Sequence, residues 1–171
     1  FLTSSYYDDE YDSLKNDFIK NNNIFICEAG LDPGIDHLLA SRLVDDFKNN
    51  TKKENISDIN FLSLCGGFPL KHNEFRYKFS WTPLGVLKAL KSKAKFITSF
   101  KETTSSFPFE NITKLNFLKE VFETYPNRDS LPYLEEYKLS DYKNVIKHFE
   151  RGTIRLNDWG QAWKEIFIKI K

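Results

Sequence analysis

The sequence of 171 residues contains no methionine and only two cysteines, Cys27 and Cys65. Because no initiator methionine is present, we expect a fragment or a processed product. Two cysteines provide no disulfide framework, which favours a reducing compartment such as the cytoplasm. No apolar run approaches the roughly 20 residues that a membrane helix requires, and no signal or transit peptide is visible.

An excess of charge of one sign is also lacking, because the formal net charge is only +1. This balance predicts neither nucleic acid nor an acidic membrane surface as a partner. Aromatic residues, by contrast, make up 16% of the chain and include 16 phenylalanines. We therefore expect a sizeable core that is built around aromatic rings.

The first part of the chain has the pattern of a βαβ unit. Residues 1–6 have the character of the end of a buried strand, and residues 24–27 form a short apolar strand. Between them, helical spacing predicts a helix whose apolar face carries Tyr11, Leu14 and Phe18. Two strands joined by a helix imply a parallel sheet, and one such unit is too small for a sheet. We expect its partner strands to lie outside this chain.

Hydrophobic patterns predict further helices and strands downstream. Asp36 has the character of a helix N-cap, and the helix after it has apolar positions at Leu38, Leu39, Leu43 and Val44. Residues 75–81 alternate aromatic and polar side chains, which is the period of a strand with one buried face. The remaining predicted elements are a strand at 59–64, a helix from Pro83, short strands within 96–117, two short helical stretches after residues 125–130, a strand at 152–156 and a last helix carrying Trp159 and Phe167.

Six short runs follow one another along the chain, at residues 3–6, 30–37, 65–67, 77–81, 125–130 and 151–155. Each run alone is a weak signal, since the Asp-Pro-Gly within 30–37 is a common turn. Together, and in this order, they resemble saccharopine dehydrogenase of the glutamate-forming type. The resemblance spans nearly the whole chain.

The resemblance implies an α/β fold in two parts. Residues 1–31 would be the last βαβ part of a Rossmann domain that binds NAD or NADP, whose glycine-rich fingerprint does not occur in this chain. Residues 32–171 would be part of an α+β domain for saccharopine binding and dimerisation, similar to the C-terminal domain of glyceraldehyde-3-phosphate dehydrogenase. A homodimer is implied for the full-length protein.

The implied activity is a reversible NAD- or NADP-dependent hydride transfer in lysine metabolism. It interconverts saccharopine with glutamate and 2-aminoadipate 6-semialdehyde. Saccharopine carries three carboxylates and cationic amines, so its site needs arginine or lysine, backbone donors and hydroxyls, with a carboxylate near the amines. The compartment would be the cytoplasm, or the mitochondrion for a bifunctional lysine-degrading enzyme.

The resemblance assigns the two main charged contacts to Arg128 and Asp32. Arg128 suits a bidentate clamp on a substrate carboxylate, and a surface arginine paired with Asp129 or Asp32 is the alternative. Asp32 would balance the secondary amine as a catalytic group, unless it serves only as a turn residue. We assign Asp36 and His37 to the structure of the helix.

Smaller polar groups complete the implied substrate site. Hydroxyls at the end of the first strand would bind a carboxylate or assist proton transfer, and they belong to Ser4, Ser5 and Tyr6. Core packing is the alternative for Tyr6. A second carboxylate would lie against Gly152, Thr153 and Ile154, which otherwise form an ordinary edge strand.

The implied cofactor contacts lie in two other runs. They are Leu31 and the segment of Phe79, Ser80 and Trp81, where Ser80 would also touch substrate. Core packing is the alternative for the two rings. The thiol of Cys65 would donate a proton as a catalytic group, or merely pack.

Other functions stay open at this point. One is a non-catalytic substrate or dimerisation fragment, or a relic of a decayed gene. Another is an oxidoreductase that forms carboxynorspermidine or homospermidine, although residues 127–129 argue against a polyamine substrate. An aromatic-rich binding module would need a basic face that the net charge does not provide. No residues have the spacing of metal ligands.

Overall fold

The computed structural model describes residues 1–171, and they form two compact units, residues 1–51 and residues 52–171. None of its helices combines the length and the apolar character that a membrane crossing requires. The chain is a mixed α/β structure with a largely antiparallel sheet. The α/β class predicted from the sequence is therefore confirmed.

The first unit contains the predicted helix, and a single bridge joins the two segments predicted as strands. Helix α1 spans Glu10–Lys20, and a short parallel bridge joins Leu2 to Ile26. The bridge is held by the N–H of Thr3 on the carbonyl of Ile26 and by the N–H of Ile26 on the carbonyl of Phe1, both at 2.9 Å. The parallel pairing is thus confirmed, over a shorter length than a full strand.

Side chains on the two faces of this pairing have different surroundings. On one face, the ring of Phe18 in α1 packs at 5.5 Å from the rings of both Phe1 and Phe25. On the opposite face, three large apolar side chains are mostly exposed: Leu2, Ile24 and Ile26. The first strand is therefore not buried within this chain, and its burial in a larger sheet stays a prediction.

Helix α2 spans Ile35–Asn50, and its N-cap is Gly34. The predicted N-cap role of Asp36 is wrong, because Asp36 lies within the first turn. Its carboxylate reaches back and accepts a hydrogen bond of 2.8 Å from the N–H of Gly34. An acidic side chain in a first turn still stabilises the helix, because it satisfies a free N–H near the positive end of the helix dipole.

The apolar positions of α2 are only partly buried. Val44 and the neighbouring Ala40 are buried. The three predicted apolar leucines are largely exposed: Leu38, Leu39 and Leu43. The spacing of apolar residues therefore predicted the helix correctly, but it did not predict which of these residues are buried.

The second unit is built on a six-stranded sheet. Its strands are β1 (Ile59–Cys65), β2 (Ala94–Thr98), β3 (Lys101–Ser105), β4 (Thr113–Phe117), β5 (Glu120–Pro126) and β6 (Ile146–Leu156). The path through the sheet is β3-β2-β6-β5-β4, with β1 pairing β6 in parallel and every other pair antiparallel. The predicted strand at 152–156 is the second half of β6, which is the central strand and not an edge.

Helices of the second unit are α3 (Pro83–Lys91), α4 (Tyr133–Glu136), α5 (Trp159–Ala162) and α6 (Lys164–Ile170), with 3-10 turns at Lys53–Asn55, Pro108–Asn111 and Ser140–Val145. The predicted helix from Pro83 and the two short helical stretches after residue 130 are confirmed. The predicted last helix is present as α5 and α6, which meet at Trp163.

The core of the second unit is aromatic, as predicted. Two aliphatic residues of α3, Val86 and Leu90, pack among six buried rings: Tyr77, Phe109, Tyr125, Trp159, Trp163 and Phe167. The guanidinium of Arg155 lies within this cluster, 4.8 Å from the centre of the Tyr77 ring, and it is also close to two others. Rings thus shield a buried cation by cation–π contacts.

The predicted strand at residues 75–81 is wrong. Arg76 has a left-handed backbone, with φ of 52°, and the N–H and carbonyl of Tyr77 bond the side chain of Asn73 instead of a neighbouring strand. Tyr77 is buried, whereas Phe75, Phe79 and Trp81 are about half exposed. The alternation is overridden because Tyr77 packs under Trp163, whose indole N–H holds the carbonyl of Phe75 at 2.8 Å.

Candidate functional site

In the first unit, the structure brings Tyr6 and Asp32 together. The hydroxyl of Tyr6 donates to the carboxylate of Asp32 at 2.6 Å. A backbone hydrogen bond holds the two segments together next to this pair, because the N–H of Glu28 donates to the carbonyl of Ser5 at 2.9 Å. Gly30 lies so close to Ser4 that a Cβ on it would be 2.9 Å from the serine Cβ. The two predicted runs at 3–6 and 30–37 are thus neighbours.

The turn before α2 presents these groups on a tight backbone. The N–H of Gly30 donates to the carbonyl of Pro33, and the N–H of Ile35 donates to the carbonyl of Gly30, both at 3.0 Å. Gly34 has a φ of 142°, a conformation that favours glycine. Leu31, at the tip of this turn, is mostly exposed. A tyrosine hydroxyl bonded to a carboxylate is an arrangement that can hold a cationic amine and relay a proton.

His37 lies in the first turn of α2, as predicted. Its Nε2 atom is 3.9 Å from the nearest oxygen of Asp36, which is too long for a hydrogen bond. A structural role for His37 stays a prediction.

In the second unit, Arg128 lies at the exposed apex of the loop between β5 and α4, with a left-handed φ of 54°. Neighbouring residues attach this loop to the sheet: the N–H of Asn127 donates to the carbonyl of Arg151 at 2.9 Å. The carboxylate of Asp129 binds the Lys95 ammonium at 2.8 Å, and this hydrogen bond raises the pKa of Lys95. Arg128 is therefore an exposed residue on a backbone that is fixed on both sides.

Other predicted site residues meet where β1 ends against β6. Cys65 pairs with Thr153 in the parallel register, and a Cβ on Gly66 would overlap the carbonyl oxygen of Ile154. A Cβ on Gly67 would lie 3.3 Å from the hydroxyl of Ser80. The structure thus groups three of the predicted runs: 65–67, 77–81 and 151–155.

Burial differs among the residues of this second group. Thr153 is buried opposite Tyr125 of β5, whose pKa burial raises. Ser80, Phe79 and Trp81 are exposed. The exposed segment 79–81 is therefore the part of this group that a ligand can reach most directly, whereas Gly152 and Thr153 lie buried between β1 and β5.

The close approach of β1 and β6 provides a stability test. Changing Gly66 to alanine is expected to lower the free energy of unfolding by about 1–3 kcal/mol, because the new methyl group overlaps backbone that cannot rotate away. The matched control Gly67→Ala meets only the end of the Ser80 side chain and should change stability by less than about 0.5 kcal/mol. Urea denaturation of both variants measures the difference. If Gly66→Ala loses as little stability as Gly67→Ala, Gly66 is not in close contact with the backbone of Ile154.

Two polar residues that sequence reasoning missed also lie in this region. Glu150 is buried, and its carboxylate lies 3.3 Å from the Nε2 of His148. Ser130 is fully buried, and its hydroxyl accepts a hydrogen bond from the N–H of Arg151 at 3.0 Å. Extending the predicted strand upstream from Gly152 would have placed Glu150 within it, whereas no local signal marks Ser130 as buried. No group of His, Cys, Asp and Glu side chains is arranged to hold a metal ion.

Comparison with known families gives the context of these groups. The family model of the saccharopine dehydrogenase C-terminal domain matches residues 30–167. The chain belongs to this family. The match covers the turn at 30–37, the loop at 125–130 and the strand end at 151–155, which carry the resemblance noted in the sequence.

Curated relatives of this family extend the match towards the amino terminus. Saccharopine dehydrogenase [NADP(+), L-glutamate-forming] from Saccharomyces cerevisiae is 38% identical over 171 aligned residues, which cover 96% of this chain and 36% of the yeast protein. Mitochondrial alpha-aminoadipic semialdehyde synthase from Mus musculus is 34% identical, with 99% of this chain and 18% of the mouse protein covered. The chain thus spans about a third of the yeast relative and about a fifth of the mouse relative.

A solved structure supports the same relationship. The apo form of the Saccharomyces cerevisiae saccharopine dehydrogenase (L-Glu forming) superimposes with a TM-score of 0.78 at 30% sequence identity. The aligned region covers 99% of this chain and 38% of that structure. The expected fold of this chain is therefore confirmed as that of the saccharopine dehydrogenase C-terminal domain.

Proposed function

We propose that the chain is part of a longer protein, called the parent protein below, that acts as a glutamate-forming saccharopine dehydrogenase. The parent protein would interconvert saccharopine with glutamate and 2-aminoadipate 6-semialdehyde, using NADP or NAD. The observation that carries the proposal is Arg128 at the apex of a loop that is anchored on both sides. A guanidinium presented in this way suits bidentate binding of a carboxylate.

The other polar groups fit the remaining charges of saccharopine. We assign a second carboxylate to Gly152, Thr153 and Ile154, where β1 ends beside β6 at Cys65. The hydroxyls of Ser4 and Ser5, which are exposed at the end of the first strand, would bind a further carboxylate. The carboxylate of Asp32 would face the secondary amine, with Tyr6 as its hydrogen-bond donor.

The chemistry requires a positive charge on nitrogen to be stabilised. In the oxidative direction, the methylene carbon on the aminoadipate side of the secondary amine loses a hydride, the nitrogen loses a proton, and this C–N bond becomes an imine. Water then adds to the imine carbon, and cleavage of the C–N bond releases glutamate and the semialdehyde. Asp32 stabilises the cationic nitrogen, and the hydroxyl of Tyr6 orients the carboxylate and can relay a proton. The thiol of Cys65 is a further proton donor in this proposal.

A nicotinamide nucleotide, when bound, accepts or donates the hydride. The residues that we assign to it are Leu31 and the segment 79–81. The half-exposed rings of Phe79 and Trp81 provide flat apolar surfaces, and the hydroxyl of Ser80 lies beside Gly67, which has no side chain. These features fit a planar, partly polar ring.

The domain assignment follows from the first unit. We propose that residues 1–31 are the last βαβ part of a Rossmann domain and that residues 32–171 are part of the saccharopine-binding domain. Parallel sheets are normally covered on both faces, and the face with Leu2, Ile24 and Ile26 is exposed here. The greater length of the relatives is consistent with further strands and helices in the parent protein. A homodimer and a cytoplasmic location stay predictions.

The proposal is tested by comparing the 171-residue chain with the parent protein. We expect the parent protein to reduce NADP or NAD when saccharopine is added, and the chain alone to show no turnover, as followed by nicotinamide absorbance. Turnover with carboxynorspermidine or homospermidine instead would favour the polyamine alternative. A parent protein that is inactive with both nucleotides and all these substrates would favour a non-catalytic fragment.

A further inference from the structure

The sheet of the second unit has a gap along its central strand. Strand β1 occupies one edge of β6 from Ile146 to Thr153. Strand β2, which pairs with Phe149, and strand β5, which pairs with residues from Gly152 onward, must therefore both lie along the other edge. Arg151 lies between these two pairings, so neither strand satisfies its backbone. A buried strand cannot leave such groups unpaired without a cost in stability.

The loop at residues 127–130 fills this gap. The N–H of Asn127 donates to the carbonyl of Arg151 at 2.9 Å, and the hydroxyl of Ser130 accepts from the N–H of Arg151 at 3.0 Å. Both backbone groups of Arg151 are therefore paired with the loop. A side-chain hydroxyl performs here the role that a strand carbonyl performs elsewhere in the ladder.

The same loop also pairs with β2. The N–H of Lys95 donates to the carbonyl of Arg128, and the N–H of Ser130 donates to the carbonyl of Lys95, both at 2.8 Å. The ammonium of Lys95 also binds the carboxylate of Asp129. The backbone of Arg128 is thus held between two strands.

Ser130 is the most deeply enclosed residue of the loop, with none of its surface exposed. Its three polar groups all have partners, because its carbonyl also accepts from the N–H of Tyr133 at 3.2 Å. Arg128, only two residues away, is exposed. A buried serine whose N–H, carbonyl and hydroxyl oxygen each have a partner thus lies two residues from an exposed arginine.

We propose that Ser130 is a positioning residue for Arg128: its buried hydroxyl joins the loop to β6 and so fixes the guanidinium for a substrate carboxylate. This proposal rests on the proposed function, in which Arg128 binds saccharopine. Geometry matters because a small misplacement of a binding group weakens a bidentate contact strongly.

A double-mutant cycle in the parent protein tests the proposal. Ser130→Ala is expected to raise KM for saccharopine by about fivefold to tenfold, with kcat and KM for the nucleotide within about twofold of the unsubstituted protein. In a protein that already carries Arg128→Ala, the same change should alter KM by less than about twofold, because the group that Ser130 positions is gone. Equal factors in the two backgrounds, or an unchanged KM in the single variant, would overturn the proposal.

A second measurement on the parent protein does not depend on activity. In the Ser130→Ala parent protein, trypsin should cleave the Arg128–Asp129 bond at least about fivefold faster, because local opening of the loop becomes easier. Cleavage after Lys119, at the turn between β4 and β5, is the internal reference and should not change. Unchanged cleavage after Arg128 contradicts the role of Ser130, whereas absence of saccharopine oxidation in the unsubstituted parent protein contradicts the proposed function.

The conservative variant Ser130→Cys separates positioning from overall stability. Its thiol is a weak acceptor of similar size, so KM for saccharopine should lie between those of the unsubstituted protein and Ser130→Ala. If both variants lose cooperative unfolding in urea, Ser130 acts on the whole fold and the proposal is wrong.

Discussion

Replacing Arg128 by alanine in the parent protein is expected to raise KM for saccharopine by more than about tenfold. Hydrogen bonds between charged groups contribute about 1.5–3 kcal/mol, and about 1.4 kcal/mol corresponds to a tenfold change in affinity. The loop that carries Arg128 is anchored to both β2 and β6, so the substitution should remove the guanidinium without moving its neighbours. Steady-state kinetics with varied saccharopine and saturating nucleotide measure the effect.

Two further variants make this result specific. Arg128→Lys keeps the positive charge but lacks the planar pair of donors, so its KM should be intermediate. Arg42→Ala removes an exposed arginine of α2 that pairs with Asp46 at 3.0 Å, and it should leave KM within about twofold of the unsubstituted value. An unchanged KM in Arg128→Ala would remove Arg128 from the substrate site.

Local patterns predicted those elements whose apolar period and end signals agree. Helix α3 begins at Pro83 and buries Val86 and Leu90, and proline at a first helical position is favoured because its missing N–H needs no partner. Strand β1 was likewise predicted at residues 59–64, which matches Ile59–Cys65 within one residue. In these segments propensity and burial indicate the same structure.

Contacts between distant residues decide the elements that local patterns missed. Residues 75–81 have the alternation of a strand, yet Tyr77 is buried through its contacts with Trp163 and Arg155, which lie about eighty positions later in the chain. The length of β6 was underestimated for a similar reason. Its first half contains His148 and Glu150, which are unusual in a central strand and are accommodated by pairing with each other.

The candidate site shows the same division. Single residues with suitable chemistry, such as Arg128 and Asp32, could be selected from the sequence because they lie in short runs that resemble one family. The contacts that surround these residues could not be predicted from such runs. The bond between Tyr6 and Asp32 joins residues 26 positions apart, and the burial of Ser130 results from a gap in a sheet that only the full topology reveals.

Changing Asp32 to asparagine in the parent protein is expected to lower kcat for saccharopine oxidation by about 100-fold. Asparagine has nearly the same shape, and its amide oxygen can still accept the hydrogen bond from the hydroxyl of Tyr6. The substitution therefore removes the negative charge while keeping the local geometry. Removing one group that stabilises a charge developing in the transition state commonly costs about 100-fold to 1000-fold in rate.

The comparison with neighbouring variants identifies the origin of that loss. Tyr6→Phe removes the donor and leaves the carboxylate charge, so its effect on kcat should be smaller, about tenfold. Asp45→Asn, at an exposed position of α2, makes the same chemical change away from the turn and should have no effect on kcat. If Asp32→Asn retains normal kcat and KM while Arg128→Ala is impaired, Asp32 is a structural residue of the turn and the cationic nitrogen must be stabilised by another group.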